Sequence, residues 1–125
     1  MIKYLIDANS AVYAMDIGHE TLTDRIAQLE PGDMAISVIS YAEVAYGTYV
    51  GKPPAPEILE AFIVAIPMLP FDESAAREYA KLPFKRARFD RLLAAHALSI
   101  GATVVTNNEA DFADVPGLKV ENWTV

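Results

Sequence analysis

Residues 2–6, Ile-Lys-Tyr-Leu-Ile, form an almost unbroken apolar run that is stopped by Asp7 and Asn9. Such a run without alternation is the pattern of a strand covered on both faces, as in a parallel sheet. Asp7 then stands at the carboxyl end of that strand. In open parallel sheets this end faces the crevice where ligands bind, because the loops there diverge and leave polar groups free. A carboxylate in that place suits a metal, and it suits equally the capping of a following helix.

The rest of the chain alternates helix-like and strand-like segments. A short helical turn through Ala11, Val12 and Met15 is followed by a helix from about Glu20 to Leu29, with Leu22, Ile26 and Leu29 on one face. Pro31-Gly32 ends it, and Met34 to Ser37 is the next buried strand. Ser37 or Ser40 can cap a helix that runs to about Val50, before Gly51-Lys52-Pro53-Pro54. Pro56 can start another helix through Leu59, Phe62 and Ile63, and Pro67 to Phe71 is at best a short third strand. Asp72 caps a helix through Ala76 and Tyr79 that ends by Pro83; a further helix covers Asp90 to Ile100; Thr103 to Thr106 and Leu118 to Val120 are the last strands. This order predicts a three-layer α/β/α sandwich around a mostly parallel sheet of four or five strands, with residues 1–125 as a single domain.

A hydrophobic fraction of 53% fits a packed core, and the absence of cysteine excludes disulfides, thiolate metal sites and cysteine nucleophiles. It fits a cytoplasmic location. Apolar stretches such as Ala61 to Ile66 are too short to cross a bilayer, so no membrane association is expected. The net charge of −7 argues against a nucleic-acid partner unless the cations are concentrated in one place.

Three further acids fall on the same rim as Asp7. Glu43 has Ile39, Tyr46 and Val50 at i−4, i+3 and i+7, an apolar setting unusual for a solvated glutamate. Asp90 heads a stripe of Leu93, Ala94 and Ala97, although the start of a helix also suits an N-cap. Asp111 follows the Thr103 to Thr106 strand after an Asn-rich loop, where an ordinary turn residue also fits. Four carboxylates sharing one cleft must repel one another or take up protons, and a divalent cation removes the conflict. Hard oxygen ligands without cysteine or paired histidines favour Mg2+, with Mn2+ as a substitute, which is the apparatus of phosphodiester hydrolysis. Alanine at Asp7 or Asp90 is then expected to abolish activity while leaving the fold intact, or even more stable because like-charge repulsion is relieved.

The cations are concentrated beside this rim. Lys81, Lys85, Arg86, Arg88 and Arg91 are half of the ten Lys and Arg of the chain. A charge run of this kind can be a plain solvated face; beside an acidic metal site it can also hold an RNA backbone, with Lys85, Arg86, Arg88 and Arg91 as candidate contacts. His96 reads as a packed residue off the Asp90 stripe, and Phe112, Val120 and Trp123 read as closing the core. Tyr41, Tyr46 and Tyr49 read as packing or partner surface before base stacking.

The blocks Y-L-I-D-A-N, S-V-I-S-Y-A-E-V-A-Y-G, F-D-R-L-L-A-A-H-A-L-S-I-G-A-T-V-V-T-N-N and D-F-A-D-V-P-G-L-K-V-E-N-W occur in this order along essentially the whole chain. Together they resemble PIN-domain ribonucleases of the VapC toxin type. The resemblance implies a magnesium-dependent endoribonuclease toxin, a VapB-like antitoxin, strand order 3-2-1-4-5 and a homodimer. It matches Asp7, Glu43, Asp90 and Asp111 to the four motif acids, Asn9 to a supporting Asn and Thr106 to the Ser/Thr near the metal. Ala8 stands where the motif usually has Thr, and the segment before Asp90 is shorter and more basic than in many relatives. An alternative is a PIN-like module that binds a partner protein or RNA without cutting it. A phosphoacceptor receiver domain would need a late Lys at the acids, and Lys119 lies too near the terminus.

Overall fold

The structure, a computed structural model, describes residues 1–83 and 88–125, with the side chain of Arg88 excluded. Five strands form one sheet in the order β3-β2-β1-β4-β5, every neighbouring pair parallel. They are β1 (Tyr4–Ile6), β2 (Met34–Ser37), β3 (Met68–Leu69), β4 (Thr103–Val105) and β5 (Val120–Glu121). The helices are α1 (Ala8–Ala14), α2 (Glu20–Ala27), α3 (Val38–Tyr49), α4 (Pro56–Ala65), α5 (Glu73–Ala80) and α6 (Arg88–Ile100), with a 3-10 turn over Glu109–Phe112. The expected sandwich and its five-stranded alternative are both observed.

Strand periodicity divides the core in two. Leu5, Ala35 and Val104 point to one face and pack with Leu93, Ala94 and Ala97 of α6 and with Phe112 and Val115. Ile6, Ile36 and Val105, each one residue on, point to the other face and pack with Ala11, Leu22, Val44 and Leu59 of α1 to α4 and with Trp123. The register Leu5↔Ala35 and Leu5↔Val104 stacks these alternating residues across the three central strands. A one-residue slip would exchange the two layers.

Local signals set most of the helix starts. Ser37 Oγ accepts from Ile39 N at 3.1 Å, and Asp72 Oδ1 accepts from Ala75 N at 3.0 Å, so of the two candidate serines Ser37 is the cap. Ser40 lies fully buried inside α3. Two boundaries differ from expectation. The Leu118 amide donates a hydrogen bond to Val115 O in a turn, and β5 forms over Val120–Glu121, opposite Val104 and Val105. Asp90 lies within the first turn of α6, which begins at Arg88, so it does not cap that helix.

Trp123 closes one end of the core. It is 1% exposed, its ring meets Tyr4 edge-on with centroids 4.8 Å apart, and Nε1 donates to Glu121 Oε1 at 2.8 Å. The Arg25 guanidinium covers it 4.4 Å from the ring centroid. Trp123→Ala is expected to destabilise the fold by about 3–5 kcal/mol in urea unfolding, the usual cost of emptying a buried aromatic site. A loss below about 1 kcal/mol would show that the core does not depend on it.

Candidate active site

Asp7 is the first residue after β1, and its position is fixed twice. Its amide donates to Val105 O at 2.9 Å, and Oδ1 accepts from Ser10 N at 2.8 Å, capping α1. The carboxylate is 8% exposed, and Oδ2 has no hydrogen-bond partner among the described residues. Asp7 therefore fills the capping role open to it from sequence and leaves Oδ2 uncommitted among the described residues. Alanine there would remove a helix cap, at about 1 kcal/mol, so the expectation that Asp7→Ala leaves stability intact needs correction.

Glu43 rises from α3, whose first turn is anchored at the end of β2 by the Ser37 cap. The face it occupies differs from the sequence reading. Tyr46 and Val50, read as flanking it inside, are 69% and 47% exposed, while Val44 and Ser40 face the core. Glu43 itself is exposed. Even so, its pKa is pushed up to about 7, first by loss of solvation and then by the negative charges of Asp90 and Asp7.

Asp90, half-buried on α6, is pushed up to about 6. Loss of solvation is the largest cause, followed by the charge of Asp111, a hydrogen bond to Asp111 and the charge of Asp7, with Arg91 opposing them. Asp111 lies on the 3-10 turn and also accepts from Asn108 Nδ2. These mutual effects place Asp7, Glu43, Asp90 and Asp111 in one electrostatic field at the carboxyl ends of β1, β2 and β4. Among the described residues no three or more His, Cys, Asp or Glu stand in metal-holding geometry.

The supporting residues fall differently. Thr106, fully buried after β4, accepts from Asn108 N at 3.0 Å through Oγ1 and so shapes the loop that carries Asp111. Asn9 is exposed on α1 and its side chain makes no hydrogen bond among the described residues. His96 is 2% exposed, with Nδ1 2.7 Å from Ser37 Oγ and the ring edge-on to Phe71; burial pushes its pKa down, which fits the packed role.

Of the candidate RNA contacts, Lys85, Arg86 and the side chain of Arg88 lie outside the described residues. Arg91 does not offer a surface charge: it is 3% exposed, and Nη2 donates to Asp114 Oδ2 at 2.6 Å. Its spacing carried the signal, because Ala94 and Ala95 at i+3 and i+4 are fully buried and put position 91 on the inward stripe. Asp114, which accepts from Arg91, and Asn108, which donates to Asp111, tie this loop together and have no periodic signal in the sequence.

Residues 4–118 match the PIN domain family. The chain is 30% identical over 133 residues to the tRNA(fMet)-specific endonuclease VapC of Shigella flexneri, covering 99% of this chain and 100% of that protein. It is 32% identical over 134 residues to the protein of the same description from Salmonella typhimurium, at 98% and 99% coverage. Among solved structures, DNA-bound VapBC from Salmonella typhimurium superimposes with a TM-score of 0.83 at 31% identity, covering 98% of this chain and 99% of that one. VapBC-1 from nontypeable Haemophilus influenzae gives 0.80 at 28% identity, covering all of both chains.

The raised proton affinities set a pH dependence. A folded-state pKa above the unfolded value means that the native state binds more protons between the two, so stability is fullest below the unfolded pKa and is lost as pH rises through the folded one. For Glu43 that window runs from 4.5 to about 7. Buried His96, with its lowered pKa, works in the opposite direction, so the clean quantity is a difference. In chelator, the stability advantage of Glu43→Gln over the unmodified protein is expected to grow between pH 4.5 and 7. Denaturant unfolding across that range checks it, and a constant difference would mean that neither burial nor the neighbouring acids raise the proton affinity of Glu43.

Proposed function

The chain belongs to the PIN-domain family, in its VapC-type branch, and from that premise we propose that it is a metal-dependent endoribonuclease acting as the toxin of a toxin–antitoxin pair. The observation that carries this reading is the gathering of Asp7, Glu43, Asp90 and Asp111 at one rim, where loss of solvation first and their mutual charges after it raise Glu43 to about 7 and Asp90 to about 6. The relatives named as endonuclease and ribonuclease support the same activity.

The donor set fits a hard divalent cation: carboxylate oxygens, no thiolate, and excess negative charge. Asp7, Glu43, Asp90 and Asp111 would hold Mg2+, or Mn2+ in its place, and the bound ion supplies activation of water and neutralisation of charge at the scissile phosphate. Asp7 offers Oδ2, because Oδ1 is committed to the α1 amide. Asp90, whose pKa is raised to about 6, must be deprotonated before it can act as a ligand. Cation affinity is therefore expected to rise with pH through about 6 to 7. Lys85, Arg86 and Arg88 are the proposed contacts to the RNA backbone.

The solved relatives described as VapBC support a VapB-like antitoxin as partner, and a homodimer is proposed with it. Exposed Tyr49 and Val64, at 89% and 85%, leave apolar surface for such contacts. Among the described residues no helix is long and apolar enough to cross a membrane.

A pool of structured and single-stranded RNAs incubated with Mg2+, Mn2+ or chelator tests the activity. Cleavage is expected with either metal and not with chelator, and Asp7→Asn or Asp90→Asn should lower the rate by on the order of 100- to 1000-fold. Asn at position 7 keeps a capping oxygen, so lost activity would not reflect a lost helix start. Undiminished cutting by both variants would sink the assignment. A folded, metal-binding protein that cuts nothing in the pool would point to the non-cleaving binding module.

A further inference from the structure

Two like-charged groups on separate elements need something to keep those elements together. Asp90 is on α6 and Asp111 on the 3-10 turn, and the charge of Asp111 raises the proton affinity of Asp90. Phe112 and Val115 hold the turn against Leu93, Ala94 and Ala97, but apolar contact is non-directional and tolerates sliding. A directional link that does not involve the acids' own hydrogen bond is the ion pair between Arg91, which follows Asp90, and Asp114, three residues after Asp111. It measures 2.6 Å, with the Arg91 side chain 3% and the Asp114 side chain 40% exposed.

We propose that the Arg91–Asp114 pair is a clamp that positions Asp90 and Asp111 for a divalent cation, making both its members positioning residues of the active site. Three features favour this over a general surface staple. Arg91 is buried, where an ion pair is screened little by solvent. Its Nη1 is also buried and has no hydrogen-bond partner among the described residues, so the pair with Asp114 carries most of what satisfies the guanidinium. The positive charge also acts on Asp90 directly, against the push of Asp111 and Asp7. A longer or absent link would let like-charge repulsion widen the Asp90–Asp111 spacing.

This inference rests on the metal-binding reading of the acids, so the test separates the two. The full chain, Asp114→Asn, Asp114→Glu, Arg91→Lys and the Arg91→Lys/Asp114→Asn double variant are compared by Mn2+ titration calorimetry and by amide hydrogen exchange. Asp114→Asn should speed exchange across residues 109–112 and weaken Mn2+ binding by about tenfold, the scale expected for a group that orients ligands, with α3 unaffected. Asp114→Glu should restore much of the affinity, Arg91→Lys should shift it the same way as Asp114→Asn, and the double variant should be little worse than either single one. In RNA cleavage, kcat should fall with KM for RNA unchanged. Faster exchange with unaltered Mn2+ affinity would reduce the pair to a structural staple and overturn the proposal, as would unaltered exchange. Absence of Mn2+ binding by the unmodified chain would instead overturn the metal reading, and with it the clamp's role there.

Discussion

Like charge held at one end of a parallel sheet is the constraint on which the rest of this molecule depends. Two unit charges about 4 Å apart interact by about 4 kcal/mol at the effective dielectric of a protein surface. That is a large share of the roughly 5–15 kcal/mol that holds a domain together. Four acids cannot be brought to one rim unless something else fixes the elements that carry them. Each has such a fixture: the α1 cap and the Val105 bond for Asp7, the Ser37 cap for the helix of Glu43, the buried stripe of α6 for Asp90, and Asn108 for Asp111. Burial first, and the neighbouring negative charges after it, raise the proton affinities of Glu43 and Asp90.

The acids also come from both layers of the sandwich. Asp7 and Glu43 belong with the helices that pack on Ile6, Ile36 and Val105, whereas Asp90 and Asp111 belong with the face of Leu5, Ala35 and Val104. The site bridges the top of the sheet, so its geometry is a function of how the two cores sit. A buried hydrogen bond joins the layers here, from His96 on α6 to Ser37 at the start of α3. His96, unattractive as a catalytic base, is well placed to keep α3 and α6 in register beneath the acids. Its neutral form is what burial favours, and either neutral tautomer can bond a hydroxyl, which donates and accepts.

Much of this was readable in the sequence because one rule governs it. Apolar runs that end in acids mark strand ends, and in a parallel sheet all such ends lie on one side. That rule located Asp7 and Asp111 without any knowledge of packing, and helical spacing located Asp90. Spacing misled at Glu43, because Tyr46 and Val50 are apolar by composition and exposed in fact; a stripe shows which residues share a face, not whether anything covers it. It was set aside at Arg91, where a cationic side chain was read by its charge although Ala94 and Ala95 put it inside. The Asp114 partner, distant in sequence and on an irregular loop, has no periodic signal to find it. Side chain–side chain links between a helix and a loop are where reading from sequence stops.

Asp7 shows why the acids are not equivalent. Removing charge from Glu43 relieves repulsion and gives up little else, since its side chain makes no hydrogen bond among the described residues. Removing Asp7 relieves the same repulsion but also uncaps α1, whose first residue, Ala8, has no hydroxyl to take over. With Thr at position 8 a neighbouring oxygen would be available there; with Ala the start of α1 depends on Asp7 Oδ1 alone among the described side chains. The same oxygen pair therefore divides its work, one oxygen for the fold and one for the rim. That division makes the first acid of the chain the point at which folding and the site chemistry are least separable.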